Sequence, residues 1–138
     1  MPRPVTPPIA ADTIIELVDR PGHPVVLIER RYEPLGWAIP GGFMDIGETV
    51  ESTAIREALE ETSLHVELVH LLGVYSDPLR DPRGQTVSVV YVARATGNPK
   101  ADDDAVNLDV FPVDALPQNL AFDHDRIMQD YLKWREMI

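Results

Sequence analysis

Apolar residues fall along this chain in short runs separated by Pro- and Gly-bearing breaks, and the spacing inside each run sets its expected structure. Ile14, Ile15, Leu17 and Val18 mark a first strand over residues 9–19, closed by Asp19-Arg20-Pro21-Gly22. The β-branched run Val25-Val26-Leu27-Ile28 follows, so the two segments read as a hairpin with a loop of about three to five residues. Tyr32-Glu33-Pro34-Leu35-Gly36 breaks the pattern, and Trp37-Ala38-Ile39-Pro40 leads into the pair Gly41-Gly42. From Val50 to Thr62 the period changes: Ala54, Ile55, Ala58 and Leu59 recur at helical spacing. Val66–Ser76 and Thr86–Ala95 read as strands, separated by a loop whose two prolines and glycine have no place in a paired strand. A polar loop over 97–104 precedes one more strand, Val106–Val113. Asp123 then caps a last helix with Ile127, Met128, Tyr131, Leu132 and Ile138 on one stripe. Many strands with one helix mid-chain and one terminal predict an α+β sandwich, helices packed on a sheet.

The 138 residues suit one domain, 1–138. Four prolines in the first eight residues exclude a helix there and predict an extended arm over 1–8, against a partner subunit or as a free tail. The net charge of −11 removes the electrostatic footprint needed for nucleic acid or an anionic membrane, though not for a small anionic substrate bridged by cations. The absence of cysteine excludes disulfides and thiolate metal sites. No run has the form of a signal peptide or approaches the ~18 apolar residues of a membrane span, so a cytoplasmic location is the expectation.

Charge changes the picture most on the first helix. At 100° per residue Glu60, Glu57 and Glu61 sit at roughly −60°, 0° and +40°, on one face, beside an arc holding Ala54, Ala58, Ile55 and Leu59. The acids repel one another at this spacing, and Glu60 and Glu61 lie at the negative end of the helix dipole. A divalent cation reverses both penalties; the alternative is a solvated acidic face. Gly41-Gly42 permits a close backbone approach to an ion, and Arg56 can pair with Glu48 to pin the loop to the helix.

Gly42, five residues, Glu48, seven residues, then Arg56-Glu57-Ala58-x-Glu60-Glu61-x-Ser63-Leu64 resembles the signature box of the Nudix hydrolases. The resemblance implies an α/β/α sandwich with a mixed sheet, a central catalytic helix and a C-terminal helix. It implies hydrolysis of a nucleoside diphosphate linked to another group, with Mg²⁺ as cofactor and Mn²⁺ as a substitute. Carried over, it makes Glu57, Glu60 and Glu61 the metal-binding carboxylates, Gly41 a backbone-carbonyl ligand, and Glu48 with Arg56 the pair that orients loop and helix. Ser63 departs from the pattern, since the family usually places glycine there to close the helix in a left-handed conformation.

Val74-Tyr75-Ser76-Asp77-Pro78 and Leu120-Ala121-Phe122-Asp123-His124 are similar to the ADP-ribose pyrophosphatases within the family. That subgroup implies ADP-ribose cleaved to AMP and ribose 5-phosphate, and a homodimer. The competing substrate is an oxidised nucleoside triphosphate of the 8-oxo-dGTP type, and the competing class is a ligand sensor that binds ADP-ribose without cleaving it. Trp37 and Tyr32 are candidates to stack on adenine, and Pro78, Arg80 and Arg83 to contact substrate. Asp102, Asp103 and Asp104 are candidates to supply a base from a loop folded over the site, alongside the helix glutamates, and His124 reads as structural.

Overall fold

The computed structural model describes residues 2–101 and 105–138. Its axis is β1 (Ile9–Leu17), apolar or small at most positions and buried from its second residue onward. Such a strand needs cover on both faces. Along one edge it pairs in parallel with β6 (Val87–Ala95), from Ile9 opposite Val87 to Leu17 opposite Ala95. The other edge is shared: β4 (Gly41–Phe43) takes Ala10, Ala11 and Asp12, and β2 (Val25–Arg30) meets it at Glu16. β3 (Gly36–Ala38) and β7 (Ala105–Phe111) pair with β2, and β5 (Glu67–Tyr75) forms the edge beside β6. Among the described residues these strands form one mixed, seven-stranded sheet.

The helices cover opposite faces. On one, Ala11, Ile15 and Leu17 of β1 pack with Ala54, Ala58 and Leu64 from α1 (Val50–Thr62) and its C-terminal flank. On the other, Ile14 packs with Ile127, Met128 and Tyr131 of α2 (His124–Met137). This is the expected α/β/α sandwich, held by alternation along one buried strand.

Several expectations are corrected. The connection between β1 and β2 runs over residues 18–24, longer than the sequence suggested, because β1 ends at Leu17 and Leu17 N–H bonds the Pro24 carbonyl at 2.9 Å. Trp37 and the glycine pair belong to two three-residue strands, β3 and β4, whose brevity hides any period. The last strand spans 105–111, and Ile138 lies beyond α2, 72% exposed. Asp123 stands at the N-cap but makes no side-chain capping bond, because Arg80 holds its carboxylate.

The face of α1 is also rotated from expectation. Ile55 and Leu59 are 41% and 38% exposed, while Thr53, Ala54, Ala58 and Thr62 are buried. Small side chains let the helix lie close on β1 and β4. The buried arc therefore runs from roughly −40° to +140°, and Glu61, at about +40°, sits inside it instead of at its border.

α1 starts at a reciprocal capping box, Thr49 Oγ1 accepting from Ser52 N–H and Ser52 Oγ from Thr49 N–H, both at 3.1 Å. It ends at Ser63 with φ 63° and ψ 16°, the left-handed conformation usually given to glycine. Ser63 offsets part of that strain by donating its hydroxyl to the Lys100 carbonyl at 3.1 Å, while Lys100 N–H bonds Thr62 O at 2.8 Å. The Cβ penalty of about 1 kcal/mol exceeds one exposed hydrogen bond. Ser63→Gly is thus expected to raise stability by about 0.5 kcal/mol and Tm by about 2 °C; a lower Tm would show that the Lys100 bond is the stronger term.

Candidate active site

The capping box fixes where the loop before α1 returns. Glu48, one residue before the cap, accepts from Asp45 N–H at 2.9 Å, Thr53 Oγ1 at 3.0 Å, and Arg56 through Nε at 2.7 Å and Nη2 at 2.9 Å. This forked contact with Arg56 holds the Glu48 carboxyl down at about 2. The same guanidinium donates to the Phe43 carbonyl at 3.1 Å and to Glu57 at 2.9 Å, and stands 3.3 Å from Glu60. Arg56 thus ties β4, loop and helix together, as its pairing with Glu48 implied.

Gly41 and Gly42 pass between β1 and α1 with no room for a side chain. A methyl on Gly42 would overlap the Glu57 carboxyl carbon and stand 2.5 and 2.6 Å from its oxygens. One on Gly41 would overlap Asp12 Oδ1 and stand 2.5 Å from the Ala11 carbonyl. Three carboxylates therefore crowd one strip of glycine backbone: Glu57, Glu61 and Asp12. Burial, then the charge of Glu57, pushes Glu61 up to about 9, and its Oε2 has no hydrogen-bond partner. Glu57 is raised by burial against the pull of Arg56. Asp12, buried in β1 and accepting from Ser88 Oγ, is raised by burial to about 6.

These residues fit a cation. An orphaned, buried carboxylate oxygen beside a glycine cradle is costly alone and is satisfied by a hard ion with oxygen ligands. Among the described residues, however, no three acidic side chains stand converged on one point, because Arg56 holds Glu57 and Glu60.

Asp12 opens onto a cleft whose walls include Gly41, Gly42, Arg80, Arg83, Phe122 and His124. Arg80, a candidate to contact substrate, is committed to partners within the protein. It is buried, forked onto Asp123 at 2.8 and 3.1 Å, and donates to Thr86 Oγ1 at 2.8 Å. Arg83 is half-exposed at the cleft and paired with Asp81 at 2.8 Å. His124 is buried, and its Nδ1 accepts from Ile39 N–H at 3.0 Å, a structural role as expected. Burial lowers its pKa to about 3. A proton excluded from the folded state but bound by the unfolded one at about pH 6.5 costs stability as pH falls through that value toward 3. His124→Asn keeps an acceptor for Ile39 and is expected to flatten this acid-side loss, measured as urea stability at pH 7 and pH 5; an unchanged slope would remove His124 as its source.

Other candidates lie apart. Trp37 packs edge-on to Phe111 at 5.1 Å, beside the α2-side core, and is not part of the cleft wall. Tyr32 is 67% exposed on the bend after β2, and Pro78 is exposed after β5. Asp102, Asp103 and Asp104 lie outside the described residues. Sequence reasoning passed over Asp12 and Ser88, though an aspartate inside a largely apolar strand was a signal available in it.

Residues 7–131 match the NUDIX domain. The chain belongs to the Nudix hydrolase family. It is 44% identical over 132 residues to the ADP-ribose pyrophosphatase of Methanocaldococcus jannaschii, an alignment covering 94% of this chain and 75% of that one. It is 32% identical to the ADPR responsive transcriptional repressor NtrR of Acinetobacter baylyi, across 90% of this chain but 52% of the repressor. Among solved structures, the NUDIX domain of Shewanella oneidensis NrtR complexed with ADP ribose matches with TM-score 0.81 and 27% identity, covering 94% of this chain and 88% of that one. A MutT/nudix family protein from Enterococcus faecalis matches with TM-score 0.83 and 27% identity, across 99% of this chain and 65% of that one. Nudix hydrolases generally use a divalent metal.

Proposed function

We propose that this Nudix hydrolase cleaves the diphosphate of ADP-ribose, releasing AMP and ribose 5-phosphate, with Glu57, Glu60, Glu61 and the Gly41 carbonyl holding Mg²⁺. The observation that carries the reading is the buried Glu61 carboxyl, which faces the Gly41 backbone and whose Oε2 has no hydrogen-bond partner, on the helix the family uses for catalysis. Identity of 44% to an ADP-ribose pyrophosphatase and structural likeness to a domain solved with ADP ribose support the substrate. Bound Mg²⁺ would neutralise phosphate charge and lower the pKa of an attacking water. The chain's own residues set up the rest. Arg56 fixes the start of α1 against the loop through Glu48, so the helix carboxylates project from a braced element. Asp12, fixed by Ser88, adds negative charge that favours a cation over a solvated site.

The test offers purified protein with Mg²⁺ ADP-ribose, other nucleotide sugars, NADH, diadenosine polyphosphates and 8-oxo-dGTP, and measures released phosphate monoesters. AMP from ADP-ribose at the highest kcat/KM is expected. Preference for 8-oxo-dGTP would overturn the substrate, and ADP-ribose binding without turnover would favour a sensor. Mutating the brace gives a graded effect: Glu48→Gln weakens the Arg56 fork without removing it, and kcat is expected to fall roughly 10-fold with a Tm loss of a few degrees. Unchanged kcat would make the brace dispensable.

A further inference from the structure

The cleft onto which Asp12 opens has a volume of about 50 Å³, room for a few waters. Ligand pockets for small organic molecules run to on the order of several hundred Å³, so part of the wall must move before a nucleoside diphosphate can enter. Most of that wall is fixed. Asp12, Arg80, Thr86 and His124 are buried, and Arg80 is held by Asp123 and Thr86. Phe122 has φ 57°, a left-handed backbone that a bulky residue adopts only where its surroundings impose it, so the fold itself sets this ring at the cleft.

Arg83 is the exception. Its side chain is half-exposed, and its guanidinium carbon lies 5.3 Å from the ring centroid of Phe122 and 5.8 Å from that of Phe43, within cation–π range of both. Both rings line the cleft, as Arg83 does, so its side chain bridges β4 to the segment before α2 across the opening. Its root is firm. The buried Asp81 carboxylate accepts from Arg83 Nε at 3.1 Å, Nη2 at 2.8 Å and backbone N–H at 2.9 Å, and Gly84 N–H closes the turn on the Asp81 carbonyl at 3.2 Å. The turn therefore stays in place while the side chain can leave, since a half-exposed guanidinium exchanges such contacts for water at modest cost.

We propose that the Arg83 side chain is a gate, resting across the cleft between Phe43 and Phe122 and swinging out to admit the substrate, an inference that rests on the hydrolase reading above. Asp81 is then a positioning residue that sets where the gate rests. A site that is open only part of the time binds its ligand with an affinity reduced by the open fraction, so removing the gate tightens binding. An arginine that contacts the substrate has the opposite sign, because its loss weakens binding.

The experiment measures ADP-ribose kinetics in Mg²⁺, and calorimetric binding of AMP in the same buffer, for the wild type and three variants. Arg83→Ala removes the gate. Arg83→Ala combined with Asp81→Asn removes it without leaving a buried carboxylate unpaired, and it decides where the single variant fails to fold or the two disagree. Lys133→Ala removes an exposed charge on α2 as a control. Both Arg83 variants are expected to lower KM and tighten AMP roughly 2- to 10-fold, with kcat changed less than about threefold. Lys133→Ala should leave all three unchanged. A KM that stays within about twofold of wild type overturns the gate, because the guanidinium then bars nothing, and a higher KM overturns it in favour of a direct substrate contact. If the wild type turns over no nucleotide, the hydrolase reading fails by itself and AMP decides on Arg83. Tighter AMP in the variants then supports the gate, and equal, weaker or undetectable binding overturns it.

Discussion

Glu61→Gln is expected to move activity and stability in opposite directions. Turnover should fall roughly 10³-fold or more, since several kcal/mol of charge stabilisation depend on an ion that an amide holds poorly. Stability of the metal-free protein should rise at neutral pH. The folded state holds the Glu61 proton up to about pH 9, whereas the unfolded chain releases it near 4.5, so folding must take up a proton between those values. That uptake costs more with every unit of pH above about 4.5, and glutamine, always neutral, avoids it. Its buried NH₂ lacks a sure partner, which reduces the net gain to on the order of 1 kcal/mol at pH 7.5. Denaturant titrations at pH 5, 7 and 8.5 without metal, repeated with Mg²⁺, give the check. The variant's advantage should grow with pH, and its Tm gain on adding Mg²⁺ should be smaller than wild type's. Near-normal turnover would remove Glu61 from the reaction, and a stability loss at every pH would mean its carboxyl is a structural contact and not a site held in reserve.

This opposition explains why the helix was readable and its packing was not. α1 spans Val50 to Thr62, where its apolar period placed it, because that signal is local. Which face it buries depends on how closely it can approach β1, and there Thr53 and Thr62 win over Ile55 and Leu59 by being small. A hydrophobicity count points the wrong way at such a contact. The misplaced face also concealed Glu61's position, inside the buried arc. Long-range pairings were hidden for another reason. Nothing local announces that β1 and β6 lie parallel or that Arg80 reaches across to Asp123, 43 positions away. Arg80, read as a candidate to contact substrate, is therefore a buried arginine forked onto Asp123. The box itself was legible because its chemistry is local: Glu48 and Arg56 lie eight residues apart, and the capping box between them brings them together.

Two alanine substitutions one residue apart should separate the two roles of the glycine strip. In Gly42→Ala the atoms nearest the new methyl are those of the Glu57 carboxyl, the free end of a flexible side chain. Gly42 lies in β4 outside the positive-φ region, so the backbone accepts alanine, and the fold should survive with a Tm change of a few degrees at most. The carboxylate must swing away, and a displacement on the order of 1 Å at a positioned group costs roughly 10²-fold in kcat. In Gly41→Ala the methyl meets backbone, the Ala11 carbonyl at 2.5 Å and Asp12 Cα at 2.7 Å, which cannot yield without parting β4 from β1. That variant should lose on the order of 3 kcal/mol or fail to accumulate folded. Circular dichroism melts and ADP-ribose kinetics on the pair give the answer. An active Gly42→Ala would mean Glu57 works from some other position than the one it occupies against the strip. A stable but inactive Gly41→Ala would mean that β4 can shift as a unit, and that the crowding of Asp12, Glu57 and Glu61 does not depend on its register with β1.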